Sequence, residues 1–157
     1  MTDAELAAHL AQVAGTILIE VRESGMFEGK ALGQAGDQTA NQFLVHALRE
    51  QRPEDGLLSE ESKDTAERLS KERVWIVDPV DGTREYGEAR TDWAVHVALC
   101  VGGKPEIGAV ALPGLGTVLR SDAPIAVPAA AEKPRMVVSR TRPAAEAVAV
   151  SEAIGAE

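Results

Sequence analysis

Apolar side chains near the start of the chain recur on a helical period: Leu6, Leu10, Val13, Ala14, Ile17, Leu18 and Val21 fall on one stripe. Thr2 and Glu5 stand at capping-box spacing just before it, so an amphipathic helix is predicted to begin there and to stop before Gly25. The following stretch carries Gly29, Gly33 and Gly36 and reads as irregular. A second helix is predicted from Asp37, which would cap it, with Ala40, Phe43, Leu44, Ala47 and Leu48 as its apolar face. Breaker and turn residues from Pro53 to Gly56 end it.

Beyond that point the pattern shortens. Leu57-Leu58 is a brief apolar run that finishes in Ser59-Glu60-Glu61, and Val74-Trp75-Ile76-Val77 is a second β-prone run that finishes at Asp78-Pro79. The charged stretch 62–71 between them predicts a short solvated helix. Further strands are expected over 93–101, 107–112 and 117–119, joined by turns at Gly102-Gly103 and 113–116, which makes a meander. The fold class is therefore α+β, with two long helices packed on a largely antiparallel sheet. Residues 121–135 are rich in Ala and Pro and read as a linker after a first domain over 1–120. A strand at 136–139 and a helix at 143–154, opened by Pro143, are too little to bury each other's apolar faces. Residues 136–157 are thus expected to start an incomplete C-terminal α/β domain.

Composition narrows the function classes. There are 16 basic and 25 acidic side chains, a formal charge of −9, which opposes binding to a nucleic-acid backbone. Aromatic residues make up 3% of the chain, so the core is expected to be aliphatic. One cysteine, Cys100, excludes an internal disulfide and reads as a small buried hydrophobe. No basic leader region and no run approaching a membrane span is read in the sequence, so a cytoplasmic protein with no membrane partner is expected.

The chemistry is concentrated in Trp75-Ile-Val-Asp78-Pro79-Val80-Asp81-Gly82-Thr83-Arg84, preceded by Glu60. Glu60, Asp78 and Asp81 all follow predicted strand ends, and their hard oxygen donors suit Mg²⁺. Pro79 would keep the chain bent so that the two aspartates and an intervening carbonyl point into one cavity. Gly82-Thr83 permits close approach of backbone N–H groups to an anion, and a helix starting there would favour phosphate. A haloacid-dehalogenase-type Asp-x-Asp loop does not fit, because Asp78 and Asp81 are three apart rather than two. A P-loop motif is absent. His9, His46 and His96 show no metal-ligand spacing and are assigned to packing or surface, Trp93 to packing, and Glu61 to the solvent side.

Together, Leu58-Ser-Glu60-Glu61-Ser62 and Asp78-Pro-Val-Asp-Gly-Thr83 resemble the inositol monophosphatase superfamily of Mg²⁺-dependent, Li⁺-sensitive phosphatases. The continuation Arg84-Glu85-Tyr86 is more similar to its 3′(2′),5′-bisphosphate nucleotidase branch, the CysQ type. The resemblance implies the N-terminal half of the layered sugar-phosphatase fold. It implies that Glu60 ligates a first metal, that Asp78 bridges two, that the Val80 carbonyl completes the first site and that Asp81 holds the second. Gly82 and Thr83 would give N–H groups to the substrate phosphate and Arg84 a further contact. The Thr83 hydroxyl, oriented by Asp37, would be the partner of the attacking water.

Two or three Mg²⁺ ions, Li⁺ inhibition, a small-molecule phosphomonoester substrate and a homodimer are implied in the same way. The first substrate expectation is the 3′-phosphate of 3′-phosphoadenosine 5′-phosphate, in sulfur assimilation; inositol monophosphate and fructose 1,6-bisphosphate are alternatives. Members of the superfamily carry a further metal-ligating Asp later in the chain, in a Trp-x-x-Asp-like motif. The sequence stops at Glu157, so a truncated chain is expected, and a non-catalytic metal-binding remnant stands as the competing reading.

Overall fold

The computed structural model describes residues 1–123, 126–127, 129–139 and 141–157. These form two compact units, Met1–Pro124 and Ile125–Glu157.

In the first unit, α1 (Asp3–Glu23) opens with the expected reciprocal cap. The Glu5 N–H donates to Thr2 Oγ1 at 3.2 Å and the Thr2 N–H donates to Glu5 Oε2 at 2.8 Å. The second helix, α2, runs over Gly29–Gln51, one long helix that starts well before Asp37. The glycines read as an irregular segment are inside it, and the role of Gly33 and Gly36 is packing. A Cβ on Gly36 would stand 2.5 Å from the Tyr86 ring, and one on Gly33 would stand 2.9 Å from Thr83 Cγ2. Asp37 is accordingly mid-helix and buried, and it caps nothing.

Five strands follow: β1 (Gly56–Ser59), β2 (Arg73–Asp81), β3 (Ala94–Val101), β4 (Lys104–Leu112) and β5 (Thr117–Arg120). They form one sheet in chain order, with β1 parallel to β2 and every other pair antiparallel, so the meander is as expected from β2 onward. The parallel pair is possible because the crossover between β1 and β2 includes a 3₁₀ turn at Ala66–Ser70, all that stands of the helix expected over 62–71. A single helical turn, α3 (Thr83–Gly87), follows β2 directly.

Side-chain alternation splits the sheet into two faces. Trp75, Val77, Val95, Val97, Leu99, Ala109 and Ala111 point to one side and are buried. Helix α1 covers that side over β3, β4 and β5, and α2 covers it over β1 and β2. The core includes Leu6, Leu10, Leu18, Leu44 and Leu48 from the helices, and Tyr86 and Trp93 meet edge to face with centroids 5.0 Å apart. Leu58, Ile76, His96, Ala98 and Cys100 have the opposite parity and are half-buried or exposed. Cys100 is therefore on the open face rather than in the core.

Helix α1 corrects one further expectation. Its 21 residues, with a mean hydropathy of 1.3 over its most apolar window, are long and apolar enough to cross a membrane by length and composition. That apolarity is spent on the core, since Leu6, Ala7, Leu10, Ala11, Ala14 and Leu18 are buried against the sheet and α2.

The second unit contains α4 (Ala145–Ile154), closed by Gly155 in the left-handed region at φ 63°. Pro143 precedes its N-cap, Ala144, and so lies outside the helix. Residues 136–139 form no strand ladder among the described residues. Instead the Met136 N–H donates to the Glu157 carbonyl and the Glu157 N–H to the Pro134 carbonyl, each at 2.9 Å.

Candidate active site

The two motifs meet because β1 and β2 are parallel. The register pairs Ser59 with Val77, so the residues after them, Glu60 and Asp78, lie side by side. The Glu60 N–H extends the ladder with a 3.2 Å bond to the Val77 carbonyl. The turn that carries Glu60 is tied to α2 through Asn41: the buried Ser59 hydroxyl donates to Asn41 Oδ1 at 2.6 Å, and Asn41 Nδ2 donates to Ser62 Oγ at 3.0 Å.

Asp78 and Asp81 are three apart, and a regular strand would put them on opposite faces. Strand β2 runs through both, and its register against β3 shifts between Asp78, opposite His96, and Asp81, opposite Ala94. Pro79 and Val80 thus take the space of one residue as a bulge, and Asp81 returns to the face of Asp78. The Val80 N–H donates to Asp78 Oδ1 at 3.1 Å and fixes that bulge. The bend expected from Pro79 is therefore a bulge inside a strand.

Gly82 then turns the chain into α3. Its φ of 88° is left-handed, and a Cβ there would also stand 3.2 Å from the Asp92 carbonyl oxygen. The first N–H groups of α3 have no intrahelical acceptor. The Thr83 hydroxyl donates to the Val80 carbonyl at 3.0 Å, with Asp37 Oδ1 at 3.5 Å as its alternative acceptor. Arg84 is turned to its own helix, where its Nε donates to Glu88 Oε1 at 2.8 Å.

The acids are crowded. Burial is the largest influence on Asp78, followed by the charge of Glu60, a hydrogen bond with Glu60 and the charge of Asp81; together they push its pKa up to about 6, against the pull of His96. Asp37 is also pushed up to about 6, first by burial, then by Glu61, with Asp78 and Glu60 adding to it and the Thr83 hydrogen bond opposing. Glu61 is exposed, as expected, yet close enough for its charge to reach Asp37.

His9 and His46 are exposed on their helices. His96, assigned from the sequence to packing or surface, is at the site. Its Nε2 is 3.2 Å from Asp81 Oδ2, and it shares a cavity of about 470 Å³ with Glu60, Asp78 and Asp81. Its parity on β3, opposite to that of Val95 and Val97, is the signal that could have placed it on the open face. Asn41 carried no comparable signal, since its role depends on the approach of α2 to the turn after β1.

The donor chemistry fits a hard divalent cation: carboxylate oxygens and the Val80 carbonyl gathered where like charges already oppose one another. As they stand, no three Asp, Glu, His or Cys side chains among the described residues form a closed ligand set.

Comparison with known proteins agrees with the motif and the fold. The sequence model of the inositol monophosphatase family matches residues 3–152. The 3′-phosphoadenosine 5′-phosphate phosphatase of Mycobacterium leprae is 49% identical over 91% of this chain and 58% of its own length. The 3′(2′),5′-bisphosphate nucleotidase CysQ of Salmonella typhimurium is 33% identical over 71% of this chain and 48% of its own. Among solved structures, CysQ from Bacteroides thetaiotaomicron superimposes with a TM-score of 0.77 at 21% identity, over 96% of this chain and 67% of that one, a likeness of fold. The chain spans about half the length of the curated relatives it matches.

Proposed function

The chain belongs to the inositol monophosphatase family, and from that premise we propose that its site is the amino-terminal part of a Mg²⁺-dependent phosphomonoesterase centre for a 3′-phosphorylated nucleotide, with 3′-phosphoadenosine 5′-phosphate as the first substrate to test. The observation that carries the proposal is the convergence of Glu60, Asp78 and Asp81 beside Gly82-Thr83 and Asp37, brought about by the β1–β2 register and the bulge in β2. The nucleotide class rests on the 49% identity to a relative named for that substrate.

Glu60, Asp78, Asp81 and the Val80 carbonyl would hold Mg²⁺, which supplies neutralisation of phosphoryl charge and a lowered pKa for water. The N–H groups of Gly82 and Thr83 hold the phosphate by its oxygens. The Thr83 hydroxyl, between Asp37 and the Val80 carbonyl, orients the attacking water and passes a proton toward Asp37. Asp37 suits that role because its pKa, about 6, lies close to neutrality. Arg84 reaches substrate only by leaving Glu88. Water displaces the ester oxygen at phosphorus directly, and no side chain here is required as a covalent nucleophile.

The test is phosphate release from 3′-phosphoadenosine 5′-phosphate, inositol monophosphate and fructose 1,6-bisphosphate with and without Mg²⁺. Preference for the adenosine bisphosphate, abolished in Asp78→Asn, is the expected result; turnover indifferent to Asp78→Asn removes the site. A second reading, cation binding without turnover, is motivated by the chain spanning about half the length of the curated relatives it matches. Silence in all three assays, together with Mg²⁺ binding that Asp78→Asn abolishes, would decide for it.

A further inference from the structure

Resting on the cation-binding reading above, we infer that His96 is a positioning residue for Asp81: it takes one carboxylate oxygen by a hydrogen bond and so presents the other to the cation.

Three features of the fold lead there. First, His96 is directly opposite Asp78 in the β2–β3 ladder, and the bulge at Pro79-Val80 returns Asp81 to the same face. The imidazole therefore stands beside both aspartates. Second, Nε2 is 3.2 Å from Asp81 Oδ2. An ionised carboxylate can only accept, so Nε2 bears the proton and donates it. Oδ1 is then the oxygen left to coordinate.

Third, the two partners differ in how firmly they are held. Asp81 is the last residue of β2, and its side chain is 62% exposed. His96 is inside β3, paired with β2 on one side and with Val110 of β4 on the other. A side chain on a backbone anchored from both sides thus steadies a carboxylate at a strand end. Outer partners of this kind tune a metal site through the orientation of its ligands.

The other residues lining the cavity that His96 shares with the three acids are Leu58, Ile76, Val77 and Ala98, whose side chains carry no donor.

Binding of Mn²⁺, as probe, to the full chain measured by electron paramagnetic resonance tests this, with circular dichroism as the check on folding. His96→Leu fills the space of the ring without a donor and is expected to weaken Mn²⁺ binding by about tenfold or more. His96→Gln, whose amide nitrogen reaches the place of Nε2, is expected to recover most of that loss. If His96→Leu does not fold, His96→Asn, whose amide stops short of Asp81, gives the same contrast with Gln. In phosphate release, the donor-free variant should need more Mg²⁺ for half-maximal rate yet keep its rate at saturating Mg²⁺.

Unchanged Mn²⁺ affinity in His96→Leu, alongside a large loss in Asp81→Asn, would overturn this inference and leave the cation site standing. Unchanged affinity in Asp81→Asn and Asp78→Asn as well would overturn the cation-binding reading itself.

Discussion

Strand β2 begins and ends among carboxylates, and the two ends treat them in opposite ways. At its start, Arg73 donates to Asp55 and to Asp3, each at 3.0 Å. Arg52 donates to the other oxygen of Asp3 at 2.8 Å, and Trp75 Nε1 to Asp55 at 2.8 Å. Burial works to raise the pKa of Asp3, but the two arginines outweigh it and hold it below its usual value. This network joins the first turn of α1, the end of α2 and the start of β2. At the other end, Glu60, Asp78, Asp81 and Asp37 are gathered together, and His96 opposes the carboxylates' upward push on Asp78. Acids paired with arginine hold the fold together; acids set against one another raise its energy and are poised for a cation or a proton.

The paired end should show the largest effect. Asp55→Ala leaves the buried Trp75 N–H without its acceptor and removes one of two partners from Arg73. A loss of about 3 kcal/mol is expected in urea unfolding, with Mg²⁺ binding per folded molecule unchanged. Weakened Mg²⁺ binding would mean that the two ends are not separate.

Next is a test of space rather than charge at the site end. Gly36→Ala puts a methyl group 2.5 Å from the Tyr86 ring, which is held by its hydroxyl donating to the Leu18 carbonyl at 2.7 Å. Overpacking outweighs the gain in helix propensity, for a net loss of about 2 kcal/mol. Because Tyr86 is in α3, phosphate release should fall as well. Stability lost without any change in activity would show that α3 is not positioned through this contact.

The sharpest contrast with Asp55 is Asp78→Asn. Removing a charge that its neighbours oppose should stabilise the cation-free protein by about 1 kcal/mol after allowance for solvent screening. The same change should abolish the rise in melting temperature that Mg²⁺ gives the wild type. A destabilised Asp78→Asn would place Asp78 with the structural acids.

What the sequence discloses about these two ends follows from the range of the interactions. The cap on α1, the strands and the motif Asp78-Pro-Val-Asp-Gly-Thr83 are written in neighbouring residues, so periodicity and spacing reveal them. The start of α2 escapes the local pattern because glycine usually punctuates a helix, whereas Gly33 and Gly36 serve contacts with residues some fifty positions later. Asp37 looks like a cap for the same reason. The bulge that unites Asp78 and Asp81 depends on the register with β3, and so does the place of His96. Asn41 reaches the turn after Ser59 only once α2 lies against β1. Apart from the parity of His96 on β3, each of these is a tertiary fact with no local signature.

The smallest expected effect is also the one that bears on both ends at once. Asp37 and Asp78 have folded pKa values of about 6 against an ordinary 3.8. Between about pH 4 and about pH 6 the folded chain therefore binds more protons than the unfolded chain, and stability falls as pH rises through that window. Asp3 has the opposite sign: its pKa is lowered by folding, so it contributes stability above its unfolded pKa and loses it only as pH falls below that value. The two ends thus act in different pH ranges. Without divalent cation, the chain should be more stable at about pH 5 than at about pH 7.5, by about 0.5 kcal/mol after screening. Saturating Mg²⁺ should flatten or reverse the difference, because a cation neutralises at high pH what protons neutralise at low pH. The double variant Asp37→Asn/Asp78→Asn should flatten it without any cation. A wild-type stability that instead rises steadily from pH 5 to pH 7.5 would mean that the crowded acids are no more costly to the fold than the paired ones.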